Sequence, residues 1–240
     1  YGRGIANPNL SAGFARLIMA CERMAEADPG REAEYAAFLK RLRGDADAKP
    51  LVGNRSFWRS DYMAHRRPDF FASVRMTSPR VRLVERGVGS NMRGEFLSDG
   101  VTFFQRTGKE YDGIFPVWDW RRLPGITSEQ KSEPPLVPSA KDRYGERDYA
   151  GSVSDGMYGL AAMDFARGPL AARKAWLFLD REIVCLGTGI ANTSDTLICT
   201  TVNQCLLKGP LTLFEKSRKR EAAIGEGTLL PSSWVYHDGI

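Results

Sequence analysis

The spacing of apolar residues changes period once along this sequence, at Gly44, and that change constrains the fold more than any single motif. Before it, Phe14, Leu17, Ile18, Cys21 and Met24 recur at three- and four-residue intervals behind Ser11, which suits an N-cap. Tyr35, Phe38, Leu39 and Leu42 repeat the spacing between Pro29-Gly30 and Gly44, so the sequence predicts a helical hairpin linked at Pro29-Gly30. After Gly44 the period becomes two. Ala72, Val74 and Met76 alternate with Ser73, Arg75 and Thr77, and the run from Val81 to Glu85 reads the same way. Ser98-Asp99-Gly100 is a turn signal ahead of a strand over Val101 to Gln105. Further strands are expected over Ala175 to Leu179, Glu182 to Leu186, Asp195 to Thr201 and Pro210 to Phe214, with Asp180-Arg181 as a tight turn between the first two. Ser128 to Gly151, with Pro134, Pro135 and Pro138, reads as a long surface loop. A helical hairpin followed by many short strands means an α region ahead of an antiparallel β-sandwich, mainly β overall. Phe57, Trp58, Phe71, Val74 and Trp176 are its expected core.

Charge narrows the partner without naming it. The 34 Lys and Arg against 29 Asp and Glu leave +5, which suits an anionic partner, whether nucleic acid or acidic polysaccharide. Acids are interspersed with the bases nearly everywhere, and the dense cluster from Lys208 to Arg220 reads as a solvated loop or strand edge, so nucleic acid is disfavoured. The sequence has no apolar run long enough for a membrane span and no signal peptide. Because it opens at Tyr1 and stops inside a strand-like run, it is read as a fragment. Cys21, Cys185, Cys199 and Cys205 form no Cys-x-x-Cys pair and are expected as small core residues, with a Cys199–Cys205 bridge open if their strands are neighbours. His65 and His237 are too far apart to start a histidine metal site, and no metal or cofactor is expected. His65 is expected to be structural, packed beside Tyr62 and bonded to backbone, and His237 likewise.

Chemistry-bearing residues concentrate between Val81 and Thr127. Glu85 stands where a strand-like run opens into Gly87-Val88-Gly89-Ser90-Asn91, and loops held by a sheet are where sites tend to sit. Further on, Trp118 and Trp120 flank Asp119 and precede Arg121. That group reads either as a sugar-stacking platform with hydrogen-bonding partners or as a buried aromatic knot fixed by prolines.

Four collinear runs carry a resemblance. Asn54 to Pro68, Phe71 to Met76, Leu97 to Thr102 and Pro116 to Thr127 resemble the central region of polysaccharide lyase family 8, the group of chondroitin AC, hyaluronate and xanthan lyases. The likeness extends in order from Tyr1 to Ile240, and the Pro-Val-Trp-Asp-Trp and Leu-Ser-Asp-Gly runs are most similar to the chondroitin lyases. The resemblance implies that residues 1–45 end an α/α toroid and that residues 46–240 begin the sandwich domain. It implies β-elimination at a uronic acid of chondroitin sulfate or hyaluronan, with a non-catalytic carbohydrate-binding sandwich, or a lyase for another acidic polysaccharide such as xanthan, as alternatives. Arg3 takes the position of a catalytic arginine, and Glu85 that of a glutamate fixing it across the cleft. Asn7 stands where a second arginine is usual and, with Asn91, Trp118, Trp120 and Arg121, is expected to bind substrate. Val88 and Ser90 depart from the family's Asn-Gly-Glu-Asn segment, and its asparagine, histidine and tyrosine for proton transfer lie upstream of the matched region. The expected partner is an acidic polysaccharide, with no nucleic acid or membrane, and the protein is expected to be a secreted or periplasmic monomer.

Overall fold

A computed structural model describes residues 5–6, 14–87, 91–135, 144–215, 217–222 and 234–237, with backbone only for 85–87 and 215. The chain forms two compact units, Tyr1–Gln204 and Cys205–Ile240. The first opens with the expected hairpin, α1 (Phe14–Ala27) and α2 (Glu32–Arg43), joined by a single 3-10 turn at Pro29–Arg31. Glu32 and Glu34 in the first turn of α2 and Lys40, Arg41 and Arg43 in its last complement the helix dipole. Gly44 then ends the helix at φ 76°, its N–H returning to the carbonyls of Lys40 and Arg41, a left-handed cap that glycine adopts without penalty. Cys21 and Leu39 are the buried side chains of the pair, while Phe14, Leu17 and Met24 along the α1 stripe stay open.

Beyond Gly44 the chain is sheet. β1 (Gly53–Phe57), β2 (Tyr62–Arg66), β3 (Phe71–Arg75) and β6 (Val101–Gln105) form one antiparallel sheet in that order. Between β3 and β6 lies a separate hairpin of β4 (Glu85–Gly87) and β5 (Asn91–Gly94). β7 (Thr127–Glu129) pairs with β12 (Ile198–Thr200). β8 (Ala150–Ser154), β9 (Gly159–Arg167), β10 (Leu170–Phe178) and β11 (Ile183–Asn192) form the second four-stranded sheet, ordered β11-β10-β9-β8. The inner faces meet in one core, where Met63, Ala72 and Val74 pack with Met163, Phe165, Trp176 and Phe178. Gly100, at φ 84°, lets the chain enter β6 beneath it, since a Cβ there would stand 2.8 Å from the Met163 methyl and 3.1 Å from the Trp176 ring.

The mainly β sandwich behind a helical hairpin is therefore the observed fold, with local corrections. Val74 and Trp176 are buried and Phe71 is half-buried, but Phe57 and Trp58 are 44% and 64% exposed. Asn54 and Ser56 take the inward positions of β1, so parity turns Phe57 outward, and Trp58 falls in the next 3-10 turn beneath the Arg59 guanidinium. Val81 to Leu83 is not a ladder. Val81 and Leu83 bury their side chains, but the backbone makes a single bridge, Arg82 to Tyr144, and strand pairing begins at Glu85. The expected loop from Ser128 to Gly151 carries strand at both ends, in β7 and β8, and its residues 136–143 lie outside the described ones. The cysteines are free. Cys21 is buried, Cys199 and Cys205 are partly so, and Cys185 is exposed because β11 is an edge strand open on both faces.

The second unit is a three-stranded sheet, β13 (Leu211–Glu215) flanked by β14 (Arg218–Glu221) and β15 (Trp234–His237). Phe214 stacks on Trp234 at 5.2 Å, and the basic cluster ends on the exposed edge strand β14. Among the described residues no helix is long and apolar enough to cross a membrane.

Candidate functional site

The β4–β5 hairpin carries the backbone of Glu85, the residue singled out in the sequence. Glu85 pairs with Gly94 and Gly87 with Asn91, and an irregularity between the two pairs shifts the register. The hairpin tip, residues 88–90, and the side chain of Glu85 lie outside the described ones, as do Arg3 and Asn7. Between those last two, Ala6 is buried and its carbonyl accepts the Gly113 N–H at 3.0 Å. Ala6 is thus tied to the loop after β6, the loop that continues into the tryptophans.

Asn91 opens β5 with its side chain 6% exposed. Its Oδ1 accepts the Arg93 N–H at 2.8 Å, an Asx turn, and its Nδ2 has no hydrogen-bond partner among the described residues. An unsatisfied buried amide costs roughly 1–3 kcal/mol, so a ligand oxygen that met it would gain from an expense the fold already carries.

The tryptophans have no free face to offer a sugar. Trp118 and Trp120 are each 4% exposed and meet edge to face at 5.3 Å, with Phe115 and Phe103 stacked on Trp118. The Trp118 Nε1 donates to the Gln204 carbonyl at 3.2 Å, and the Gln204 amide answers with bonds to the carbonyls of Asp119 and Arg122. This is the buried knot rather than the platform, because stacking a sugar on either ring would require breaking ring–ring contacts already made. Arg121 emerges from the knot. Its Nε and Nη2 donate to the Glu133 carbonyl at 3.0 and 2.6 Å, and its guanidinium lies 5.7 Å from the Phe96 ring.

From there Arg121 lines a cavity of about 550 Å³ at the base of the hairpin, between Leu83 and Glu95 on one side and the β9–β10 turn on the other. Its wall is built on a pair the sequence did not disclose. Asp99, fully buried, accepts the Arg167 Nε and Nη2 at 2.7 Å each, a bidentate geometry that holds the guanidinium in one plane. Burial opposes the charge on Arg167, but Asp99, Glu95 and Glu146 outweigh it and hold the guanidinium above its ordinary value. Glu129, on the same wall, is held below the usual carboxylate range by the Ser194 hydroxyl and by Lys131. The turn at Ser98-Asp99-Gly100 was legible; its partner 68 positions away had no local signal.

Neither histidine is placed for proton transfer. His65 is fully buried between Phe70 and Phe178 rather than beside Tyr62, with Nε2 donating to the Leu179 carbonyl at 2.9 Å and Nδ1 accepting from the Asn54 amide at 3.3 Å. Burial lowers its pKa and keeps the ring neutral. His237 accepts the Lys208 N–H at 3.3 Å. The described residues bring together no three His, Cys, Asp or Glu side chains as a metal would require. What they provide is a polar, charged wall able to hold and orient a ligand.

Comparisons with known proteins point to one family. Residues 52–240 match the model of polysaccharide lyase family 8, super-sandwich domain. The chain is 37% identical over 249 residues to Chondroitinase-AC of Pedobacter heparinus, covering all of this chain and 34% of that protein. It is 32% identical to Hyaluronate lyase of Thermasporomyces composti over 67% of this chain and 22% of the relative. A solved chondroitinase AC lyase, in a study of its oligosaccharide complexes, superposes with a TM-score of 0.82 at 36% identity over 99% of this chain and 35% of that one. A Paenibacillus xanthan lyase gives 0.69 at 26% identity over 84% of this chain and 20% of its own. The chain thus spans about a third of the chondroitinase length and less of the others.

Proposed function

This chain belongs to polysaccharide lyase family 8, and from that premise we propose that it serves a lyase cleaving uronic-acid-containing glycosaminoglycans, chondroitin sulfate or hyaluronan, by β-elimination. The observation that carries the reading is the collinear likeness of the entire chain to Chondroitinase-AC. In this reaction a base removes the C5 proton of the uronic acid. The electron pair left behind forms the C4–C5 double bond, the C4–O4 bond breaks, and O4 leaves with a proton. The C5 proton is only weakly acidic, so the neighbouring carboxylate must be neutralised as charge develops. In this reading Arg3 supplies positive potential beside that carboxylate, and Glu85 fixes the plane of its guanidinium across the cleft. Asn91 offers its unsatisfied amide to the sugar. Asn7 lies on the same segment as Arg3 and contributes a neutral hydrogen-bonding group. Arg121 stands at the edge of the cavity, where an acidic sugar would meet it, and Trp118 and Trp120 brace the loop from within. A polymer of this size does not enter the cytoplasm, which favours a secreted or periplasmic enzyme.

Chondroitin sulfate, hyaluronan and xanthan incubated with the full-length protein test the proposal through the ultraviolet absorbance of the unsaturated uronate. Release from the first two is expected. Binding without release from any of them would leave a carbohydrate-binding sandwich in place of a lyase.

A further inference from the structure

The 44–52 linker and the outer face of the first sheet leave an open groove of about 970 Å³ beside α2, and its chemistry differs from that of the cavity at the hairpin. Strand parity builds the floor. Gly53 and Arg55 of β1 share the outer face with Ala64 and Arg66 of β2, in the register Gly53–Arg66 and Arg55–Ala64. Small residues thus alternate with arginines across neighbouring strands, so that a chain lying on the floor can approach the backbone while a guanidinium flanks it. Arg41, in the last turn of α2, and Lys49, on the linker, line the same groove. The acid lining it is Asp45 alone, which leaves four cations to one carboxylate among the described residues.

These cations have no carboxylate partner among the described residues, although the Arg41 guanidinium lies 5.7 Å from the centre of the Phe38 ring. Other arginines and lysines of the chain find carboxylates, as Arg43 does in Glu22, Lys40 in Asp47 and Arg67 in Asp180. Arg41, Lys49, Arg55 and Arg66 have no ion-pair partner among the described residues, and Arg55, Arg66 and Lys49 are exposed. Phe57, turned outward by the parity that removed it from the core, supplies an apolar wall 44% open. Unpaired like charges collected in a concavity raise the local concentration of a counter-charged polymer, and guanidinium forks match carboxylate and sulfate oxygens two at a time.

We infer that this groove is a binding track for a strand of anionic polysaccharide, carboxylate- or sulfate-bearing, with Arg55 and Arg66 as its principal contacts. The inference rests on the lyase reading for the class of polymer and on the groove's own charge for the site. Arg55→Glu/Arg66→Glu in the full-length protein, assayed with long chondroitin sulfate and with neutral dextran of matched length, tests it. Affinity for chondroitin sulfate is expected to fall on the order of tenfold or more, with a shallower dependence on salt, since fewer counterions are released. KM on the polymer should rise with little change in kcat, and dextran should bind neither protein. The Arg55→Lys/Arg66→Lys protein, which keeps the charge without the fork, should fall between the native protein and the glutamate variant. If the thermal midpoint of the double glutamate variant drops, the glutamine pair replaces it in the same assays.

Unchanged affinity and KM for chondroitin sulfate in the variants would overturn the inference and mean that another part of the protein covers the groove. Binding of dextran by the native protein with an affinity like that for chondroitin sulfate would also overturn it, since charge would then not be the cause. Cleavage of the polymer with no response to the variants would remove the track and leave the lyase, whereas charge-dependent binding without cleavage would leave the track and remove the lyase.

Discussion

Lys174 occupies a position on β10 where alternation between Ala172 and Trp176 calls for an apolar side chain, and it is buried there. Its ammonium donates to the Gly125 carbonyl and lies 5.6 Å from the centre of the Trp176 ring. Burial pulls its pKa to about 8, with Cys185 and Asp99 acting weakly the other way. An unfolded lysine titrates near 10.4, so between about pH 8 and 10 the unfolded chain holds a proton that the folded chain has released. Stability should therefore rise with pH across that window, by up to about 1.4 kcal/mol per pH unit. Denaturant unfolding at steps from neutral to alkaline pH should show the rise in the native protein and not in Lys174→Met. Equal slopes in the two would assign the effect elsewhere. Glu85 tests the proposed chemistry at the same scale. In the full-length enzyme, Glu85→Gln should lower kcat on chondroitin sulfate on the order of 10²-fold, comparable to losing one preorganised electrostatic partner. The thermal midpoint should barely move, because a partly solvated ion pair contributes only about 0–1 kcal/mol. An undiminished rate would return Glu85 to an ordinary strand carboxylate.

At the scale of elements, the turn before β6 and the end of β9 are joined by Asp99 and Arg167, which tie the two sheets across 68 positions. With Asp99 fully buried and Arg167 14% exposed on the cavity wall, Asp99→Asn would leave the guanidinium without its bidentate partner, at a cost of up to about 3–5 kcal/mol. A cooperative urea transition displaced by much less would show that Glu95 and Glu146 compensate. The same scale explains why the strand-like run from Val81 did not become a strand. Alternation reports which side chains are buried, and Val81 and Leu83 are; a ladder needs a neighbouring strand, and here the backbone meets a bridge to Tyr144, the Ser98 hydroxyl on the Arg82 carbonyl and a local turn from the Val81 N–H to the Ser78 carbonyl instead. Phe57 and Trp58 teach the converse lesson, since an aromatic inside a strand pattern is inside the protein only if its parity agrees.

At the scale of the whole molecule, both histidines are engaged in structure rather than placed for proton transfer. The 240-residue chain on its own is expected to release no unsaturated uronate from chondroitin sulfate or hyaluronan, and absorbance from the purified chain would show that the chemistry had been misplaced. The change of period at Gly44, the capped hairpin and the β10–β11 turn were legible because each depends on neighbours in sequence: helical spacing, a left-handed glycine, and Asp180-Arg181 enclosed by the Leu179 N–H bond to the Glu182 carbonyl. The class of chemistry was legible through long collinear motifs. Pairings between distant residues were not, since Asp99 with Arg167, the Trp118 indole with Gln204, and the four uncompensated cations of the groove arise only when separate strands are laid side by side. Burial is likewise a property of the assembled sheets: it made a knot of the tryptophans, turned Phe57 out, and set a lysine inside, because each depends on what lies across the sheet rather than along the chain.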